Sequence, residues 1–121
     1  MRYFADTYAI IDYLKGNPVY KKYFTDHEII TTKMNLLEVY YWTLLEETKE
    51  KADENYHTFL ANTVEVNDET LKQSAQFRFH HKHKKVSYID ALGYQTAQVH
   101  KVKFLTGDKA FQSIPNVEFI R

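Results

Sequence analysis

Apolar and polar positions along the chain switch repeatedly between two periods. Arg2 to Ala5 (RYFA) reads as a short strand, and after Asp6 the apolar positions Ile10, Tyr13 and Leu14 recur at helical spacing until Gly16, with Thr7 as a candidate cap. Asn17-Pro18 breaks the pattern, Val19 to Phe24 suits a short helix, and Glu28 to Thr31 (EIIT) a second strand. A long helical run starts near Lys33, with Met34, Leu37, Tyr41, Leu44 and Leu45 on one apolar stripe, and a polar junction at KEKADEN leads into a second helix ending near Leu60. Thr63 to Val66 (TVEV) is expected as a third strand, Asp68 as the cap of a helix reaching about His81, and Ser87 to His100 as a further helix. Lys103 to Thr106 and Val117 to Ile120 read as strands on either side of a short helix through Phe111 and Gln112. Strands alternating with helices predict right-handed crossovers and a parallel sheet covered on both faces, an α/β fold with about five strands.

Composition narrows the class. A chain of 121 residues, 16% aromatic and poor in Gly and Pro, is expected to form one compact domain, residues 1–121, and not a disordered segment. Sixteen Lys and Arg balance sixteen Asp and Glu, so a nucleic-acid partner would need a local basic patch. The lack of cysteine removes disulfides, thiolate metal sites and a cysteine nucleophile, and agrees with a cytoplasmic protein. No stretch approaches the roughly twenty apolar residues of a membrane span, and the first strand starts directly without a signal-like segment. The expectation is a soluble cytoplasmic protein with no membrane partner.

Candidate chemistry lies in carboxylates at strand ends. Asp6 follows the first strand and Asp108 follows Lys103 to Thr106 after a single turn residue, Gly107; the two can face one another if those strands are neighbours. Each also has a local explanation as a helix cap. Asp90 has a stronger one, since Ser87-x-x-Asp90 is a capping box. Glu38 is different: it projects between Tyr41 and Leu45, inside the apolar arc of its helix, where a lone carboxylate needs a partner. A buried Arg or Lys is the common partner, but Arg2, Arg78 and Arg121 are the only arginines. Carboxylates gathered around a shared Mg²⁺ or Mn²⁺ are the alternative, and their chemistry is metal-assisted phosphodiester hydrolysis.

Four segments taken together resemble the PIN domain family, and most of all its small VapC-type toxins. These are Asp6-Thr7 in FADTYAIIDYL, Glu38 in NLLEVYY, Asp90-Ala91 in SYIDALGYQTA, and Thr106, Gly107, Asp108 and Phe111 in FLTGDKAF. The resemblance spans nearly the whole chain and implies a PIN-like α/β/α sandwich. It further implies a Mg²⁺- or Mn²⁺-dependent endoribonuclease that cuts single-stranded or looped RNA, is held inactive by a cognate antitoxin and is commonly a homodimer. Asp6, Glu38, Asp90 and Asp108 would be its acidic, metal-holding set, with Asp6 and Asp90 first in line for direct contact; Thr7 and Thr106 would support them through hydrogen bonds. Many relatives carry another aspartate where this chain has Ala110, which leaves four acids.

The run HHKHKK, His80 to Lys85, admits three readings. His80 and His83 stand three apart, a spacing suited to a metal if the helix persists. Cations at a helix C-terminus also simply complement its dipole. Between these, Lys82, Lys84 and Lys85 can hold RNA phosphates beside the acidic pocket. Tyr40, Tyr41 and Tyr94 are read as core and given no site role. Among other functions, a housekeeping RNA-processing nuclease and a non-catalytic RNA- or protein-binding domain stay open. A phospho-accepting receiver domain fits poorly, because Asp6 stands alone after the first strand and the last strand ends at Arg121 rather than a lysine.

Overall fold

The computed structural model describes residues 1–121. The elements are β1 (Arg2–Ala5), α1 (Thr7–Leu14), α2 (Pro18–Asp26), β2 (Glu28–Ile30), α3 (Lys33–Glu46), α4 (Lys49–Leu60), α5 (Asp68–His80), α6 (Tyr88–Val99), β3 (Lys103–Thr106), a 3₁₀ turn over Lys109–Phe111, and β4 (Val117–Phe119). The sheet is wholly parallel, in the order β2-β1-β3-β4. Strand alternation splits the core in two. Tyr3, Ala5, Ile29 and Leu105 point to one face, where they pack with Ile10, Leu36, Val39 and Phe59; Phe4, Ile30 and Phe104 point to the other, against Phe77, Ala91, Tyr94 and Phe111. The result is the expected α/β/α layering. Gly93 lets α6 close on the sheet, because a Cβ there would stand 2.8 Å from the Phe4 ring.

From β1 the chain crosses to β2 on one side, then returns past β1 to β3 on the other. The order therefore reverses between β1 and β3, which opens a crevice at their carboxyl ends, the usual ligand position in open parallel sheets. Ala5 pairs with Leu105, so the residues that follow, Asp6 and Thr106 to Asp108, emerge side by side.

Four local expectations are corrected. Thr63 to Val66 is not a strand: only Thr63 bridges, to Thr31, because β2 gives way at Thr32 to the cap of α3 and leaves no ladder to extend. Asp6, not Thr7, caps α1, its Oδ1 accepting the Ala9 N–H. Asn67, not Asp68, caps α5. Finally, the stripe Met34, Leu37, Tyr41, Leu44 and Leu45 faces outward; Leu45 is 64% exposed and Tyr41 62%. The buried side of α3 is Asn35, Leu36, Val39 and Thr43. Alpha-3 carries apolar residues on both faces, and its core face also holds Asn35 and Thr43, whose hydrogen bonds reach α1 and α4 as well as their own helix.

Candidate active site

Local rules place each acidic residue and leave part of three of them free. Asp6, which follows the last residue of β1, is 2% exposed; its Oδ1 accepts from Ala9 N–H at 3.0 Å and its Oδ2 from the Thr106 hydroxyl at 2.7 Å. Thr106 Oγ1 in turn accepts the Asp108 N–H at 3.0 Å, so one threonine ties the ends of β1 and β3 together. Asp108 caps the 3₁₀ turn through Oδ1 on Ala110 N–H, at 3.0 Å. Asp90 and Ser87 form the expected capping box, with Asp90 Oδ2 accepting the Ser87 N–H at 2.9 Å. Glu38 Oε1 accepts the Thr7 hydroxyl at 2.5 Å. Structural duties thus occupy one oxygen each of Asp108, Asp90 and Glu38. The second oxygens of these three make no hydrogen bond to the protein.

Those four carboxylates line one open cleft of about 460 Å³, together with Thr7, Tyr8, Ile11, Leu37, Tyr41 and Ser87. No lysine, arginine or histidine is among the lining residues, and none of the four acids takes part in an ion pair. Negative charge is therefore costly there. Burial, reinforced by Asp90 and Asp108, pushes the Asp6 carboxyl up to about 8 against the opposing hydrogen bonds from Thr106 and Ala9. Burial also raises Glu38, helped by Asp90 and opposed by the Thr7 hydroxyl. Asp90 is raised by burial and by Asp108, and the Ser87 backbone N–H works against it.

A hard divalent cation fits this donor set. The acidic groups offer only oxygen, three of them have an oxygen with no protein partner, and no side-chain cation lines the cleft. The acids stand along the cleft walls, and no three acidic or histidine groups converge into a closed cage.

The sequence-predicted residues Asp6, Thr7, Glu38, Asp90 and Asp108 meet in this cleft, with Thr106 directly beneath. Lys82, Lys84 and Lys85 do not line it; they occupy an exposed loop that runs into Ser87, with Lys84 Nζ reaching Ser113 Oγ at 3.4 Å. His80 and His83 lose helical register because α5 ends at His80 and the next residues form a turn. Of the three tyrosines read as core, Tyr94 is buried and Tyr40 half-buried, but Tyr41 is exposed and walls the cleft. Sequence reasoning also missed Tyr8, Ile11 and Leu37 in the walls, and buried Asn35 behind Glu38. The signal for Asn35 and Tyr41 was helical: each stands three residues from Glu38 and shares its side of α3.

A parallel sheet whose crevice is walled by carboxylates from four segments defines a class, and comparison with known proteins agrees with it. The PIN domain model matches residues 3–117, and the chain belongs to that family. Among solved structures, a toxin–antitoxin complex from Klebsiella pneumoniae is 22% identical, with a TM-score of 0.75 over 94% of this chain and 93% of that one. VapBC2 from Rickettsia felis, bound to a DNA fragment from its promoter, is 18% identical with a TM-score of 0.74, covering 99% of this chain and 98% of that one. VapBC-1 from nontypeable Haemophilus influenzae is 15% identical at a TM-score of 0.71, over 99% and 97%. At such identities the likeness is one of fold. No curated protein matches the chain in sequence. No helix is long and apolar enough to cross a membrane.

Proposed function

We propose that this protein is a Mg²⁺- or Mn²⁺-dependent endoribonuclease acting on single-stranded or looped RNA, the toxin of a toxin–antitoxin pair. The observation that carries the reading is the cleft at the β1/β3 switch point, where Asp6, Glu38, Asp90 and Asp108 stand without a counter-cation. Asp6, Asp90, Glu38 and Asp108 would hold the ion; the chemistry it supplies is activation of water and neutralisation of charge on the scissile phosphate. The chain's own groups prepare that site. Thr106 fixes Asp6 and the Asp108 backbone against each other, Thr7 fixes Glu38, and the capping box fixes Asp90, so the acids are presented at low cost in side-chain entropy. No histidine or serine nucleophile is needed.

Substrate and partners follow from the surroundings. The loop holding Lys82, Lys84 and Lys85 precedes Ser87 at the cleft rim, and its cations suit phosphates flanking the cut. Tyr41 and Tyr8 in the cleft walls suit stacking on unpaired bases. The exposed apolar stripe on α3 adjoins the cleft through Leu37 and Tyr41, and favours an inhibitory protein partner over a free-standing processing enzyme. The similar solved structures are toxin–antitoxin complexes, which supports the same choice. A homodimer is also expected, with two clefts along one groove.

The test is cleavage of a mixed single-stranded RNA pool by purified protein in Mn²⁺, Mg²⁺ and EDTA, with Asp6→Asn alongside. Metal-dependent cutting that disappears in EDTA and in the variant is the expected result. Equal cutting by Asp6→Asn would overturn the assignment.

A further inference from the structure

We infer that Asn35 is a positioning residue for the acidic site, acting on Glu38 through the Thr7 hydroxyl; the inference rests on the metal-dependent reading above. Asn35 is 1% exposed and belongs to the buried face of α3. Its side chain joins a directed chain of hydrogen bonds. Thr32 Oγ1 accepts the Asn35 backbone N–H at 3.3 Å and spends its own proton on Asn35 Oδ1 at 2.6 Å. Asn35 Nδ2 donates to Thr7 Oγ1 at 3.1 Å, and Thr7 donates to Glu38 Oε1 at 2.5 Å.

The direction of the chain follows from counting protons. A threonine hydroxyl has one proton. Were the Asn35 amide turned over, its carbonyl oxygen would face Thr7, and two acceptors, Asn35 and Glu38, would compete for that proton. With Asn35 Nδ2 donating to Thr7, the Thr7 proton has only one destination, the Glu38 carboxylate. The Thr32 hydroxyl fixes the amide from behind. Asn35 therefore does more than fill space between α3 and α1: it sets which way Thr7 points and so which oxygen of Glu38 is tied and which faces the cleft. Glu38 Oε2 is the one left free.

A matched control stands on the other side of α3, between α3 and α4. Asn55 is 3% exposed and donates to Thr43 Oγ1 at 3.2 Å, a buried amide-to-hydroxyl bond with no member in the cleft. Mn²⁺ affinity is measured by calorimetry on the parent, Asn35→Ala, Thr7→Val, the double variant and Asn55→Ala. Loss of an outer-shell partner typically weakens metal binding 10- to 100-fold, so Asn35→Ala is expected to bind Mn²⁺ about tenfold more weakly. The double variant should bind no more weakly than Thr7→Val, Thr7→Ser should match the parent, and Asn55→Ala should keep parental affinity even where its melting temperature falls as far. Unchanged affinity in Asn35→Ala, or additive losses in the double variant, overturns the inference. If Asn35→Ala does not fold, Asn35→Leu keeps the volume and takes its place. A parent that binds no Mn²⁺ defeats the metal reading instead. The positioning claim is then decided by the ¹³C carboxyl shift of Glu38 in metal-free protein at fixed pH, which must move in the Asn35 variant and not in Asn55→Ala; an unmoved shift refutes it.

Discussion

Replacing Asp6 by asparagine should make the metal-free protein more stable at neutral pH and less sensitive to pH. Asp6 is buried, and its carboxyl is raised from 3.8 to about 8, so between those values the folded chain holds a proton that the unfolded chain has released. The stability this proton contributes is complete below pH 3.8 and is lost as the pH rises toward 8, at about 1.4 kcal/mol per pH unit. From pH 5 to pH 7 the loss is about 2.7 kcal/mol, on the order of 10 °C in melting temperature for a domain of this size. An amide cannot ionise, so Asp6→Asn removes that component; Glu38 and Asp90, also raised, leave a shallower fall. The amide oxygen still caps α1 at Ala9, and its nitrogen can donate to Thr106. The assay is thermal unfolding in EDTA at pH 5, 6, 7 and 8. Steep decline in the parent and a flatter curve for the variant, crossing so that Asp6→Asn is the more stable at pH 7, is the expected pattern. Parallel curves, or a variant less stable at pH 7, would refute the claim that Asp6 is a strained buried acid. Mn²⁺ at pH 7 should raise the parental melting temperature and leave that of the variant almost unchanged.

Other outcomes follow from the same geometry. Glu38→Gln keeps the shape and the Thr7 bond, so unfolding free energy should change by less than about 1 kcal/mol while RNA cleavage falls at least about 100-fold; a rate within threefold of the parent would remove Glu38 from the machinery. Gly107→Ala should cost about 1–3 kcal/mol in urea unfolding, because the new Cβ would stand 2.5 Å from the Ile120 carbonyl oxygen and press on Tyr8. An unchanged midpoint would contradict that packing. Replacing Lys82, Lys84 and Lys85 together by alanine, in an Asp6→Asn background that binds without cutting, should reduce the log–log salt slope of single-stranded RNA binding by about 2. An unaltered slope would detach that loop from the substrate.

The strand ends were legible because sequence and topology agree there. Apolar runs that stop at Asp6 and at Thr106 mark where β1 and β3 release the chain, and their adjacency in the sheet brings Asp6 to Asp108 as the spacing suggested. Asp90 was legible as a cap and remains one; the capping box takes one oxygen of the carboxylate and leaves the other without a protein partner, in a residue that also lines the cleft. Glu38 was found by a premise that the fold reverses. Its neighbours Tyr41 and Leu45 are exposed, and its raised affinity for protons comes from partial burial and from Asp90. Apolar periodicity says that a face is covered, but not whether the cover is the chain's own core or another molecule. Thr63 to Val66 failed as a strand for a different reason, since a strand needs a neighbour of matching length and β2 stops at Ile30. Helical spacing puts Asn35 beside Glu38, but its bond to Thr7, 28 positions away, was hidden because only the packing of α3 on α1 brings the two together.

Crystals soaked in Mn²⁺ near pH 7, with anomalous difference density recorded at the manganese edge, would show directly whether the four acids work together. The expected result is a peak in the β1/β3 crevice with Asp6, Asp90 and at least one of Glu38 and Asp108 turned toward it, absent from Asp6→Asn crystals treated alike. No peak in the cleft at saturating Mn²⁺, or a peak only at surface groups such as His80 and His83, would contradict a metal-dependent site at these carboxylates.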